Sequence, residues 1–350
     1  MDLNNHHNFG LLDKEHMYEQ IVTLPAQLAD SWRLAGTLPL EIDTKIARVC
    51  VSGMGGSAIG ADLMAAYVED QCQVPVFVHR NYGLPAWAVG PDTLFIASSH
   101  SGNTEETLSA YDQALENGCT ILSISTGGKL AQKSTENGTR LWLFNHKGQP
   151  RAAVGYSFGL MLAAVYKAGL IADPGDDISS TVKFLQEQQA KWQAEKPVST
   201  NPAKRLAGQC VGRCMVIIAS DVLAPIARRW KGQVNELAKS WCQFDVLPEA
   251  DHNTLAGVTY PQDVLEKLMV IFLRSESAHE RNQMRSDLTQ SGFLKEGLNT
   301  DSYTAAGNSK LQQLWDALLF GDYVSYYLAM ANDCDPTPIP AITNLKKAMQ

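Results

Sequence analysis

IARVCVSGMGGSAIG, residues 46–60, decides the fold. Residues 46–51 form a short, largely β-branched run that breaks into the glycines Gly53, Gly55 and Gly56, and a long apolar helical pattern follows over 58–68. A buried strand, a glycine turn and a helix, in that order, open a βαβ unit. The unit recurs downstream. Residues 76–78 and 93–98 read as strands, the second leading through SHSGNTEET (99–107) into a helix that lasts to Leu115. Residues 120–125 and 141–144 are two more strands. Strands alternating with helices at this spacing predict a parallel sheet with helices on both faces. Ligands of such sheets bind beyond the carboxyl ends of the strands, where both polar loops fall.

Outward from this core, residues 1–40 read as a helical cover, with mixed three- and four-residue apolar spacing over 15–34 interrupted by Pro25. Residues 41–194 form the first α/β domain, closing with helical pattern over 159–169 and 179–192. EKPVSTNPAK (195–204) has two prolines and clustered turn residues, and reads as a linker. The second domain, 205–350, restarts with a strand at 214–219 and a helix at 222–238. Strands at 243–247 and 268–273 follow, and the remainder reads as largely helical, including 311–331.

The chain has 350 residues, room for two ordinary domains, and its 45% hydrophobic and 19% charged composition is that of a globular protein. The charge sum, 29 minus 37, is −8. That acidity disfavours nucleic acid and anionic membranes as partners while leaving room for a local anion site. No apolar run approaches the ~18–20 residues of a membrane span. MDLNNHHNFG lacks the basic and apolar regions of a secretory signal. Seven scattered cysteines with no CxxC pair argue against zinc and disulfides, so a reducing cytoplasm is the expected compartment and no metal is expected.

The two loops carry the functional signal. Gly53-Met54-Gly55-Gly56-Ser57-Ala58 matches a dinucleotide fingerprint loosely, but the second strand ends in His79 and Arg80, where that fingerprint needs an acid for the ribose. No Lys-Ser/Thr pair follows, so it is not a Walker A loop. The second loop gathers Ser99, Ser101 and Thr104 around Gly102. Ser and Thr at a helix start are commonly plain N-caps. Two such loops at the ends of neighbouring strands instead describe a hydroxyl-lined phosphate pocket.

These loops resemble those of the sugar isomerase (SIS) domain family, which binds phosphosugars. Four further stretches narrow the resemblance: PRAAVGYSFG (150–159), RRWKGQVNELAK (228–239), PEADHN (248–253) and DPTPIPAITNLKK (335–347). In series they resemble the bifunctional phosphoglucose/phosphomannose isomerase family, from about residue 40 to the C-terminus. The resemblance implies two SIS-type three-layer α/β/α sandwiches with mainly parallel sheets, and a homodimer with shared active sites. It implies an aldose–ketose isomerase that converts glucose 6-phosphate or mannose 6-phosphate to fructose 6-phosphate through ring opening and an enediolate, without a cofactor. The phosphate anchor it implies is Gly56, Ser57, Ser99, Ser101 and Thr104.

The same resemblance gives Glu236 as the base that moves a proton between C2 and C1. Its bland reading is a solvated glutamate paired with Lys239, since the apolar residues of that helix cluster roughly opposite. His252 is the ring-opening acid–base, and imidazole titrates in the right range. The family usually has Asn where this chain has Asp251, and Tyr where it has His100. For His100, filling the tyrosine's space is favoured over touching phosphate. Arg151 would stabilise the enediolate, the alternative being a surface arginine. Lys346 or Lys347 would assist ring opening, with the Leu345-Lys346 pattern favouring Lys346. A phosphosugar sensor is the competing reading and would need none of Glu236, Arg151 and His252. A dehydrogenase is a third reading.

Overall fold

The computed structural model describes residues 1–349. In chain order its helices and strands are α1 (Met17–Val22), α2 (Leu24–Thr37), β1 (Arg48–Ser52), α3 (Gly55–Val68), β2 (Val76–His79), β3 (Thr93–Ser99), α4 (Glu105–Glu116), β4 (Thr120–Ser125), α5 (Gly128–Glu136), β5 (Arg140–Leu143), α6 (Val154–Lys167), α7 (Gly175–Gln189), α8 (Pro202–Cys210), β6 (Cys214–Ser220), α9 (Ala224–Leu237), β7 (Cys242–Leu247), α10 (Gln262–Leu265), β8 (Leu268–Arg274), α11 (Glu280–Lys295), β9 (Asn299–Thr304), α12 (Lys310–Ala331) and α13 (Pro340–Ala348). Two compact units divide the chain. One is Thr23–Phe184, and the other joins Met1–Val22 to the chain from Leu185 onward.

In the Thr23–Phe184 unit a five-stranded sheet has the order β2-β1-β3-β4-β5, every pair parallel. Parallel strands need crossovers, and α3, α4 and α5 supply them. β3 is buried along its whole length, as a strand covered on both faces must be. Cys50, Phe95 and Ala97 pack against Ala110, Tyr111 and Leu130 of α4 and α5. Pro25 does not break a long N-terminal helix midway. It sits in the first turn of α2, where its missing N–H costs nothing. The strand order reverses between β1 and β3, so the loops after these two strands flank the sheet's switch point.

The other unit has a four-stranded sheet, β7-β6-β8-β9, also parallel throughout. Ile218, Val270 and Phe272 face Phe293 of α11. α12 is buried nearly all round, and the Trp230 indole on α9 donates to the Ala317 carbonyl at 2.8 Å, locking the two helices. β9 lies inside the stretch expected to be helical, and its sequence, NTDSYT, lacks the apolar run that marks the other strands. Residues 195–204, which read as a linker, hold the start of α8. Asn201 caps it by accepting from the Ala203 and Lys204 amides, and the Lys204 ammonium, fully buried, donates to the carbonyls of Leu3 (2.7 Å) and Ala194 (2.6 Å). No helix among the described residues is long and apolar enough to cross a membrane.

Candidate functional site

At the switch point of the five-stranded sheet, β1 ends in Ser52 and the chain turns through Gly53 and Met54 into α3. Gly55 has φ +52°, a conformation side chains resist. Gly56 lies so close to the segment before α6 that an added Cβ would stand 2.5 Å from the Pro150 carbonyl oxygen. A helix start has N–H groups with no helical acceptor, and these attract anions. Ser57, next in line, is buried and lines a recess with Ser98, His100, Phe144, Pro150 and Ser157. The Ser157 hydroxyl, on α6, donates to the Gly56 carbonyl at 3.2 Å and holds the turn from behind.

The loop after β3 is tied inward at both ends. The hydroxyls of Ser99 and Thr104 are hydrogen-bonded at 2.9 Å, and Thr104 is the N-cap residue of α4 without a side-chain cap bond. The simple capping reading therefore fails at Thr104, whose hydroxyl turns to Ser99 instead. The exposed Ser101 hydroxyl accepts from the Asn103 amide at 3.3 Å. Gly102 has φ +66°, and its Cβ would overlap the Gly127 carbonyl oxygen at 1.8 Å. A third loop, after β4, braces the second. The Thr126 hydroxyl donates to the His100 carbonyl (2.7 Å), the Leu130 amide to the Gly102 carbonyl (2.9 Å) and the Lys129 amide to the Asn103 side chain (3.2 Å).

His100 points inward. Its Nε2 is hydrogen-bonded to Nδ1 of His146 at 3.0 Å, and its ring meets Phe144 edge-on. Burial, with the neighbouring His146 second, pushes His100 down to about 4, and burial lowers His146 also. Both rings are therefore neutral at physiological pH, and one must donate to the other. Arg151 is not a surface residue: it is 4% exposed in the turn Pro150–Ala152, beside Gly56. Gly56, Ser57, Ser99, Ser101, Thr104 and Arg151 thus share one end of one sheet.

Glu236, His252 and Lys346 stand on three elements of the other unit. Glu236 is half-buried in the last turn of α9, in a stretch whose buried neighbours include Gln233, Val234 and Leu237. The Lys239 ammonium donates to the main-chain carbonyl of Glu236 at 2.6 Å. α9 is fixed to α12 by Arg229, whose Nε and Nη2 donate to Asp322 at 3.1 and 2.7 Å, both side chains buried. His252 is exposed at the end of the turn Glu249–His252. Asp251 is hydrogen-bonded to Arg285 (2.9 Å) and to the Thr289 hydroxyl (2.6 Å) of α11, so its charge is matched away from the imidazole. Glu249 accepts from Asn253. Lys346 and Lys347 are both exposed in the last turn of α13. Among the described residues no cluster of three or more His, Cys, Asp or Glu side chains forms a metal-ligating group.

Residues 44–165 match the SIS domain model, and residues 199–349 match the bacterial phospho-glucose isomerase C-terminal SIS domain. A bifunctional phosphoglucose/phosphomannose isomerase from Caldicellulosiruptor bescii is 38% identical over 95% of this chain and 98% of its own. One from Aquifex aeolicus is 31% identical over 85% of this chain and 89% of its own. This chain belongs to the bifunctional phosphoglucose/phosphomannose isomerase family. Its two parallel sheets are the sheets of its two SIS domains. A hypothetical protein from Thermus thermophilus shares the fold with TM-score 0.72 at 15% identity, covering 95% of this chain and 89% of that one. Within the family frame, sequence reasoning overlooked three parts of the first SIS domain's site: His146, the brace at 125–129 and the Ser157 support. A sequence signal existed for the brace, because Ser125-Thr126-Gly127-Gly128 follows a strand as the two recognised loops do.

Proposed function

We propose that this chain interconverts glucose 6-phosphate and mannose 6-phosphate with fructose 6-phosphate. The observation that carries the reading is the hydroxyl-rich cradle at the switch point, with a buried arginine beside it, in a chain of this family. Gly56, Ser57, Ser99, Ser101 and Thr104 hold the phosphate through hydroxyls and helix-start amides. His252 moves a proton during ring opening, assisted by Lys346. The Glu236 carboxylate takes the proton from C2 and returns it to C1 while the hydroxyl proton passes from O2 to O1, so the balance is an isomerisation with no external reactant. Arg151, a fixed cation that never needs to lose its proton, stabilises the enediolate oxygen. Because the enediolate is planar at C2, reprotonation on either face gives either epimer.

The active form in this reading is a homodimer in a reducing cytoplasm. The exposed apolar side chains Ile342 and Leu345 of α13 and Met349 just after it, with Trp241 70% and Tyr260 79% exposed, support a subunit interface. Seven free cysteines suit that compartment. NMR of mannose 6-phosphate with the enzyme in deuterated water tests the chemistry. The wild type forms fructose 6-phosphate with deuterium exchange at the reacting carbons. Glu236→Gln binds the sugar phosphate but loses exchange and turnover by at least about 10³-fold, the scale of acid–base catalysis. Full exchange in that variant removes Glu236 from the mechanism.

A further inference from the structure

The second sheet has its own switch point, between β6 and β8, and a cavity of about 160 Å³ opens there. At ~30 Å³ per water it has room for about five waters, or one small solute. Its wall repeats the loop after β3 in altered form. Ser275-Glu276-Ser277-Ala278 follows β8, and Ser99-His100-Ser101-Gly102 begins at the last residue of β3. Both loops close the same turn, with the Ala278 amide donating to the Ser275 carbonyl at 3.2 Å and the Gly102 amide to the Ser99 carbonyl at 3.1 Å.

The cavity is built and unsatisfied. Ser220 at the end of β6 and Ser286 on α11 line it, are 8% and 7% exposed, and have no side-chain hydrogen-bond partner among the described residues. Arg274 also lines it, but its Nε–H, which has no acceptor among the described residues, is shut off from the cavity. The electrostatics differ from those of a phosphate cradle. The Arg274 guanidinium is already engaged by Asp287 and by Gln290 (2.6 Å). Glu276 then stands unmatched where the other loop has the neutral His100. A phosphate would meet two carboxylates against one spoken-for arginine.

We propose that this cavity is a second ligand site, for a small cationic amino alcohol rather than a phosphate. The ammonium faces Glu276, and the hydroxyls exchange hydrogen bonds with Ser220 and Ser286. The inference does not depend on the isomerase reading, because every residue in it lies outside the proposed catalytic machinery.

Amide-detected NMR titration of the full-length protein with 2-amino-1,3-propanediol, glycerol and inorganic phosphate tests it. The first two have the same number of non-hydrogen atoms and differ in charge. The amine shifts the Ser220, Glu276 and Ser286 amides and binds at least tenfold more tightly than glycerol, while phosphate leaves these amides unmoved. Glu276→Gln, an exposed and fold-neutral change, reduces the amine's advantage over glycerol to under threefold. Ser286→Leu fills the cavity and removes binding of both. Equal binding of glycerol and the amine by the wild type, phosphate shifts at these amides, or an unchanged amine preference in Glu276→Gln each overturn the proposal. So does the absence of saturable amine binding.

Discussion

His100 ties the stability of the first SIS domain to pH. Its imidazole is half-buried against Phe144 and hydrogen-bonded to His146, and it is held neutral down to about 4, against 6.5 for a free side chain. Between these values the unfolded chain binds a proton at this position that the folded chain refuses. Stability therefore rises with pH across the window and is lost as pH falls through it. Integrating between pH 7.5 and pH 5 with these two values gives about 2 kcal/mol from His100 alone, which solvent screening of the half-buried ring reduces to about 1–2 kcal/mol. His146, lowered in the same direction, adds to the loss with the same sign.

The informative perturbation is His100→Gln. A glutamine amide takes the place of Nε2 and keeps the bond to His146 Nδ1, but it does not titrate. Any constant change in stability cancels when each protein is compared with itself at two pH values. Urea unfolding at pH 7.5 and pH 5 is the assay. The wild type should lose about 1–2 kcal/mol more than His100→Gln over that interval. Histidine-selective ¹³C NMR reads the same quantity directly, with a His100 midpoint well below 6. Saturating fructose 6-phosphate should raise that midpoint if its phosphate lies on the adjoining serines. Equal losses in the two proteins, or a His100 midpoint at 6.5, refute the reasoning.

Gly102→Ala places a methyl group on the Gly127 carbonyl in a left-handed conformation. It should cost at least about 2 kcal/mol in urea unfolding and raise the KM for fructose 6-phosphate severalfold. Arg229→Met leaves Asp322, whose carboxyl burial already pushes upward, without its guanidinium, and should cost about 3–5 kcal/mol. The double variant Arg229→Met, Asp322→Leu should recover most of that loss, and a double variant no more stable than the single one would contradict it. Asp251→Asn keeps a partner for Thr289 and loses an ion pair whose arginine is 38% exposed, so the change should stay under about 1 kcal/mol with kcat nearly unaltered. Asp251→Ala loses both bonds, and its kcat should fall further than that of Asp251→Asn as the His252 turn loosens.

The strands legible in the sequence are the buried ones. β3 and β4 announce themselves as apolar or β-branched runs because both faces are covered, and the register of β1 with β3 places the loops after those two strands side by side. β9 is hidden because it is the sheet's edge strand: it pairs with β8 alone, and half-exposed positions tolerate Asn, Asp and Ser. The start of α8 lies among turn residues that also have a helical meaning. Asn201-Pro202 is a cap followed by a first-turn proline, and Lys204 looks like a solvated charge until the carbonyls of Leu3 and Ala194 are set beside the rings of Phe9 and Tyr327.

The site shows the same boundary between local and non-local information. Glycine and hydroxyl patterns at the ends of β1 and β3 can be read because phosphate binding by backbone amides is a local property of a strand–turn–helix. What surrounds those loops is not local. His146 lies 46 residues from the histidine it contacts, and a surface position remains an open alternative for Arg151 on sequence alone because nothing in its neighbours announces that Gly56 packs against them. The order β2-β1-β3-β4-β5 removes the ambiguity. Once β4 is the neighbour of β3, Ser125-Thr126-Gly127-Gly128 must lie against Ser101 and Gly102, and the glycines become necessary rather than merely permitted. The reversal of order between β6 and β8 then requires the second sheet to have a crevice too. Glu276 in place of a neutral side chain makes that crevice a different binding problem from the first.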